Sequence, residues 1–190
     1  MTTPARLLDT DADLAPDYPV SVALALGSNL GDRVDWLRAG VAALRHVVQI
    51  EAVSSVYESE PVGPAQDDFL NAAVIGTTRL APRGLLRTAL AAESATGRRR
   101  TRADGPRTLD VDLVLYGART VRAPDLVVPH PRWRERGFVL APLREIAPHW
   151  RDPETGRAIH MLAENAECMA GRPRIVAGPD AIDPVGGTNP

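Results

Sequence analysis

The chain contains no lysine; all 22 of its basic residues are arginine. That absence removes the Walker A P-loop, whose lysine sits on the phosphates. It also removes a pyridoxal phosphate Schiff base and any lysine nucleophile. Cysteine is nearly missing too. Cys168 stands alone, which excludes an internal disulfide, a CxxC redox pair and a cysteine-built zinc site. It reads as an ordinary reduced thiol in a cytoplasmic protein. Aromatic residues make up only 4% of the chain, too few for a sheet that reads RNA by base stacking. No apolar run approaches the roughly 18 residues that cross a bilayer. The first residues are acidic where a secretory signal is basic and then apolar. No G-x-S-x-G elbow, H-E-x-x-H or G-x-G-x-x-G string occurs. Nor does one sign of charge dominate: 22 basic and 24 acidic residues leave a net charge of −2. A protein that coats nucleic acid carries a global basic field, and this one does not.

What is present fits one globular domain: 190 residues, 44% hydrophobic and 24% charged. Residues 1–18 are rich in Asp, Pro and Ala and are expected to form a loose extension. Residues 20–26 are an apolar run suited to a buried strand. The turn chemistry of Gly27 to Asp32 leads into an amphipathic helix over 33–46, with Val34, Leu37, Val41 and Leu44 at helical spacing. A second strand is predicted over 48–57, a loop over 58–68 and a third strand over 69–78. Pro82 opens a second helix that reaches about Thr96, with Gly97 able to end it. Residues 98–108 are an arginine-dense loop, and 109–116 a fourth strand. Residues 118–148 hold turn signals and few regular periods. The domain is expected over 19–165, with a poorly structured tail over 166–190. Strand, helix, strand, strand, helix, strand is the ferredoxin-like βαββαβ order. It predicts an α+β protein: an antiparallel sheet with helices packed on one face and long loops at the site.

Four features could carry chemistry. Asp110 and Asp112 are two apart on the fourth strand, so both carboxylates point to one side. Paired carboxylates repel unless a divalent cation sits between them, and hard oxygen donors suit Mg²⁺ shared with waters and phosphates. Alone, the pair reads as two ordinary aspartates on a solvated outer face; the neighbourhood is what turns the reading toward a metal site. Just upstream, Arg98, Arg99, Arg100, Arg102 and Arg107 fall within ten residues. Guanidinium forks match phosphate oxygens, although such a run can also be a solvated surface or a nucleic-acid contact. Carboxylates and arginines together are the parts of phosphoryl transfer. Phe69 and Phe138 are the only phenylalanines. Core is their default place, but both stand where loops meet elements and could sandwich a flat heterocycle, with Asn71 bonding its edge. His130, held between Pro129 and Pro131, could bond a phosphate or nucleobase, or be structural.

Taken in order, the strings Gly27-Ser28-Asn29-Leu30-Gly31, Phe69-Leu70-Asn71-Ala72, Gly105-Pro106-Arg107-Thr108-Leu109-Asp110-Val111-Asp112, Val128-Pro129-His130-Pro131 and Arg136-Gly137-Phe138-Val139-Leu140 closely resemble the 6-hydroxymethyl-7,8-dihydropterin pyrophosphokinase family of folate biosynthesis. The resemblance spans roughly residues 20–150. It implies transfer of pyrophosphate from ATP to the pterin hydroxymethyl group, releasing AMP. It implies two Mg²⁺ ions on Asp110 and Asp112, and a pterin stacked between Phe69 and Phe138 with Asn71, Ser59 and Val62 around it. Arg98 and Arg107 match catalytic phosphate clamps; Glu93, Arg100, His130 and Arg136 match nucleotide-contacting positions. The implied partners are small molecules, with no nucleic acid or membrane, for a cytoplasmic monomer. The chain departs from the family pattern at Ala103 and Asp104, where an arginine and a tryptophan usually precede Gly-Pro-Arg, and at Pro131, where an aromatic often follows the histidine. A competing reading is an inactive ferredoxin-like module that binds nucleotide or RNA through the arginine loop.

Overall fold

A strand that is apolar on both faces belongs at the centre of a sheet, and β1 (Val20–Ser28) is such a strand. In the computed structural model, which describes residues 10–97, 105–166 and 173–185, β1 lies between β4 (Phe69–Thr78) and β5 (Asp110–Tyr116). Outside β4 come β3 (Val56–Ser59) and then β8 (Arg174–Ala177), while β2 (Gln49–Val53) also pairs with β4. Every pairing is antiparallel. This is the ferredoxin-like order expected from the sequence. A small hairpin, β6 (Val121–Ala123) with β7 (Leu126–Val128), follows β5.

Helices cover both faces of the sheet, not one. Val22, Leu24 and Leu26 of β1 pack with Leu37, Val41 and Leu44 of α2 (Arg33–Arg45) and Leu85, Ala89 and Ala92 of α3 (Pro82–Ala95). Each fully buried leucine contributes about 1.5–3 kcal/mol. Gly40 lets α2 lie close: a Cβ there would stand 2.8 Å from Leu26 Cδ2. Asp32 caps α2 by accepting the backbone N–H of Asp35 at 3.2 Å. The alternate residues Ala23, Ala25, Ala73 and Ile75 face the other way. They pack with Trp133 and with Val139, Leu140 and Leu143 of α4 (Gly137–Ile146), and with Ile159, Leu162 and Ala163 of α5 (Ile159–Ala166).

Four further expectations are corrected. The strand predicted over 48–57 is two, β2 and β3, because the Ser54 hydroxyl accepts the backbone N–H of Ala73 at 2.9 Å where a strand carbonyl would otherwise do so. Residues 118–148 hold the hairpin and α4. In the expected tail, Arg174–Ala177 pairs with β3, and Ile182 is buried in the core. In the expected extension, α1 (Thr10–Asp13) places Ala12 in the same core. Cys168 lies outside the described residues.

Candidate active site

Register brings the polar residues together. Gly27 of β1 is paired with Asn71 on one side and Asp110 on the other; two residues back, Ala25 is paired with Ala73 and Asp112. Paired residues point to the same face. Phe69 is two residues from Asn71 on β4 and is paired with Ser59 of β3. All of these side chains therefore stand on the α4 face, at the end of the sheet. A one-residue slip of β5 would send both aspartates into the opposite core.

All but Ala73 line a cleft of about 560 Å³ together with Val62, Gln66, Pro106, Arg107, His130, Arg132, Arg136 and Phe138. Gly27 forms its floor: a Cβ there would stand 3.6 Å from Asn71 Oδ1 and 3.9 Å from both Asp110 Cβ and Phe69 Cδ1. Asn71 Nδ2 donates to Ser59 Oγ at 2.9 Å. That bond fixes which way the buried amide turns, and so how its oxygen is presented over the floor. Phe138 closes the far side from the start of α4. The Arg136 guanidinium lies over its ring, with Cζ 5.5 Å from the centroid.

The cationic wall meets the carboxylates. Arg107 Nη1 donates to Asp110 Oδ2 at 2.7 Å, and Arg136 Nη1 lies 3.5 Å from Asp112 Oδ2. Both arginines and both aspartates are half-buried. The backbone around Arg107 is held by Asn29. The Arg107 N–H donates to Asn29 Oδ1 at 2.8 Å, and Asn29 N donates back to Arg107 O at 3.1 Å. Asn29 Nδ2 donates to Gln66 Oε1 at 3.1 Å and to Asp67 O at 3.2 Å. One buried side chain thus ties together the two loops that border the cleft.

His130 faces the same carboxylates, its Nε2 3.8 Å from Asp112 Oδ2. Burial, then the charges of Arg136 and Arg132, push its pKa down to about 4; Asp110 and a backbone hydrogen bond act in the opposite sense and are outweighed. The imidazole is neutral at pH 7. Its Nδ1 accepts the Arg132 N–H at 3.3 Å, which leaves the proton on Nε2, toward the cleft.

Asp110 and Asp112 suit a hard cation. They are oxygen donors on one rigid strand face, and cations already neutralise them there. Among the described residues no group of three metal-type ligands occurs, so waters and phosphate oxygens would have to complete the shell, as Mg²⁺ prefers.

The structure thus gathers Ser59, Val62, Phe69, Asn71, Arg107, Asp110, Asp112, His130, Arg136 and Phe138 around one cleft. Glu93 is not among the lining residues. It is buried on α3, and its Oε1 accepts the Val111 N–H at 3.0 Å, between the two aspartates on the outer edge of β5. Arg98, Arg100, Ala103 and Asp104 lie outside the described residues. Sequence reasoning missed Gly27, Gln66 and Arg132. The register of β1 is the signal that would have found Gly27; Gln66 and Arg132 carry none.

The fold is that of a ferredoxin-like α+β protein, and its cleft sets two phenylalanines and a buried amide beside paired arginines and carboxylates. The family model described as 7,8-dihydro-6-hydroxymethylpterin-pyrophosphokinase (HPPK) matches residues 23–148, and the chain belongs to that family. It is 43% identical over 159 residues to a 2-amino-4-hydroxy-6-hydroxymethyldihydropteridine pyrophosphokinase of Synechocystis sp., covering 81% of this chain and 82% of that one. It is 48% identical over 126 residues to the Bacillus subtilis protein of the same name, covering 65% of this chain and 75% of that one. The crystal structure of wild-type Plasmodium falciparum HPPK-DHPS with pterin and p-hydroxybenzoate shares the fold, with a TM-score of 0.63 at 13% identity over 79% of this chain and 43% of that one. These matches lend no support to the reading as an inactive nucleotide- or RNA-binding module. Among the described residues, no helix is long and apolar enough to cross a membrane.

Proposed function

We propose that this cleft carries out the pyrophosphokinase reaction of the family, ATP and 6-hydroxymethyl-7,8-dihydropterin giving AMP and the pterin pyrophosphate in folate biosynthesis. The observation that carries the assignment is the single row Asn71–Gly27–Asp110 across three strands, flanked by Phe69 and Phe138. Phe69 and Phe138 stack on the two faces of the pterin. Asn71, oriented by Ser59, bonds its edge, and the bare floor at Gly27 lets the ring sit down on the sheet. Val62 borders the ring from the loop above.

The hydroxymethyl oxygen then attacks the β-phosphorus. A new O–P bond forms, the bond to the α,β-bridging oxygen breaks, and AMP leaves while the hydroxyl proton passes to water. Arg107 and Arg136 sit where negative charge builds on the moving group, and His130 offers Nε2–H to the nucleotide. Asp110 and Asp112 are the residues that would hold Mg²⁺, which when bound supplies positive charge against the phosphates. No side chain is needed as an obligatory base, because positioning the hydroxyl in line is the larger task.

The test is nucleotide analysis of ATP and Mg²⁺ incubations with and without the pterin. Pterin-dependent AMP without ADP is expected. ADP as product, or AMP formed equally without pterin, would overturn the assignment.

A further inference from the structure

Phe138 works as a wall only if α4 keeps its rotation against the sheet. On its β1–β4 side, α4 is packed by Ala23, Ala25, Ala73 and Ile75. On its β3 side none of the β3 residues belongs to the apolar cluster beneath α4, and Tyr57 borders a cavity with Leu140 and Ala141. The polar bonds on that side converge on Glu145. Its Oε1 accepts the Ser55 N–H at 3.0 Å and the Ser55 hydroxyl at 2.9 Å; its Oε2 accepts the Tyr57 hydroxyl at 2.9 Å. The strand break at Ser54 turns the Ser55 N–H out of the ladder and toward this carboxylate. Burial, then the hydrogen bond and charge of Glu145, push the Tyr57 phenol upward, so it stays a neutral donor.

Glu145 lies seven residues after Phe138. Two helical turns separate them, about 10 Å along the axis, and both stand on the same helix face. Across the sheet, Tyr57 and Ser59 share one face of β3, paired with Asn71 and Phe69. Glu145 therefore joins the element that carries one wall of the slot to the strand that orients the other.

We propose that Glu145 is a positioning residue for the heterocycle slot: by locking α4 to Ser55 and Tyr57 of the β2–β3 segment, it sets the rotation of the helix and hence the gap between Phe138 and Phe69. This rests on the assignment of that slot to the pterin. Glu145 touches no substrate, and it acts on the ring rather than on the phosphates.

The test is steady-state kinetics with 6-hydroxymethyl-7,8-dihydropterin and MgATP for Glu145→Ala, Glu145→Gln and Tyr57→Phe, each also made with Phe138→Ala. Glu145→Ala should raise the KM for pterin about tenfold, equivalent to about 1.4 kcal/mol, and leave the KM for ATP within about twofold of wild type. Glu145→Gln, which keeps an acceptor for Ser55, should recover most of the loss; Tyr57→Phe should show a smaller loss of the same kind. In the Phe138→Ala background the Glu145 substitution should add almost nothing, because the wall it positions is gone. Equal rises in both KM values, unchanged pterin KM in all three variants, or full additivity with Phe138→Ala would overturn the proposal. If Glu145→Ala does not fold, the other two variants decide by the same criteria. Failure of the slot assignment is a different result: the unaltered protein would release no pterin-dependent AMP.

Discussion

The two faces of the sheet are built from the same strands yet serve opposite ends. Under α2 and α3, β1 offers Val22, Leu24 and Leu26, and the face is closed by aliphatic side chains along its length. Under α4 and α5, the alternate positions are Ala23, Ala25 and then bare Gly27. The first face is stability. The second is packed only part of the way, and where its packing stops the same row of positions carries Asn71, Asp110 and Asp112. Period-two alternation lets one strand hold both, so a substitution can damage one face and spare the other.

That separation can be broken, starting with the largest effect. Asp112→Ala should lower turnover by on the order of 10³-fold, with little change in thermal midpoint. Pterin-dependent AMP release and a melting curve on the same sample check both halves, and near-normal turnover would remove Asp112 from the chemistry. On the opposite face, Leu24→Ala should cost about 2–5 kcal/mol of stability, with kcat close to normal at temperatures where the protein is folded. Urea unfolding beside an activity assay tests this, and a large kcat loss in fully folded protein would join the two faces.

In the connection between α4 and α5, Asp152 anchors the loop it belongs to. Its carboxylate accepts Arg134 Nε at 2.7 Å, Arg134 Nη2 at 2.6 Å, the Thr155 hydroxyl at 2.5 Å and the Glu154 N–H at 3.1 Å. Burial raises its pKa, but the hydrogen bonds from Arg134, Thr155 and Glu154, with the charge of Arg134, outweigh it, and the net shift is downward. A lowered carboxyl adds stability above its unfolded pKa and loses it as pH falls through the folded one. Asp152→Asn should therefore cost about 1–3 kcal/mol at pH 7. The difference from wild type should shrink below about pH 4; a gap that stays constant from pH 7 to pH 3 would contradict this. The smallest effect belongs to the cleft wall. Phe138→Ala should weaken pterin binding about tenfold, the loss of about 1.4 kcal/mol of stacking and contact. Titration of pterin against the folded variant measures it, and unchanged affinity would move the ring elsewhere.

The face under α2 and α3 was legible in the sequence because its strands and helices announce themselves by period. The other face was not. Residues 137–146 begin with Gly137 and carry Pro142 in their interior, two residues that argue against a helix. The helix forms because Val139, Leu140 and Leu143 find the alanine-lined sheet, a tertiary cause that no local window contains. β8 was hidden for a similar reason: four residues between Pro173 and Gly178, stabilised by pairing with a strand far away in the chain. Cleft-lining residues were legible where residue type and strand spacing coincide, as at Asp110 and Asp112. Glu93 matched by position only, and in the structure its carboxylate accepts the Val111 backbone N–H. Glu145 sits among ordinary helix residues, and its role needs Ser55 and Tyr57 in space.

The row Asn71–Gly27–Asp110 is also a ruler. The residue that would read the ring and the first carboxylate are separated by two hydrogen-bonded strand widths, about 9.5 Å. Backbone pairing sets that length, not side-chain conformation. It cannot be stretched gradually; it changes only by whole strands or whole steps of register. A compound whose ring and reactive oxygen are one methylene further apart can be met only by turning these side chains against the bonds from Asn71 to Ser59 and from Arg107 to Asp110.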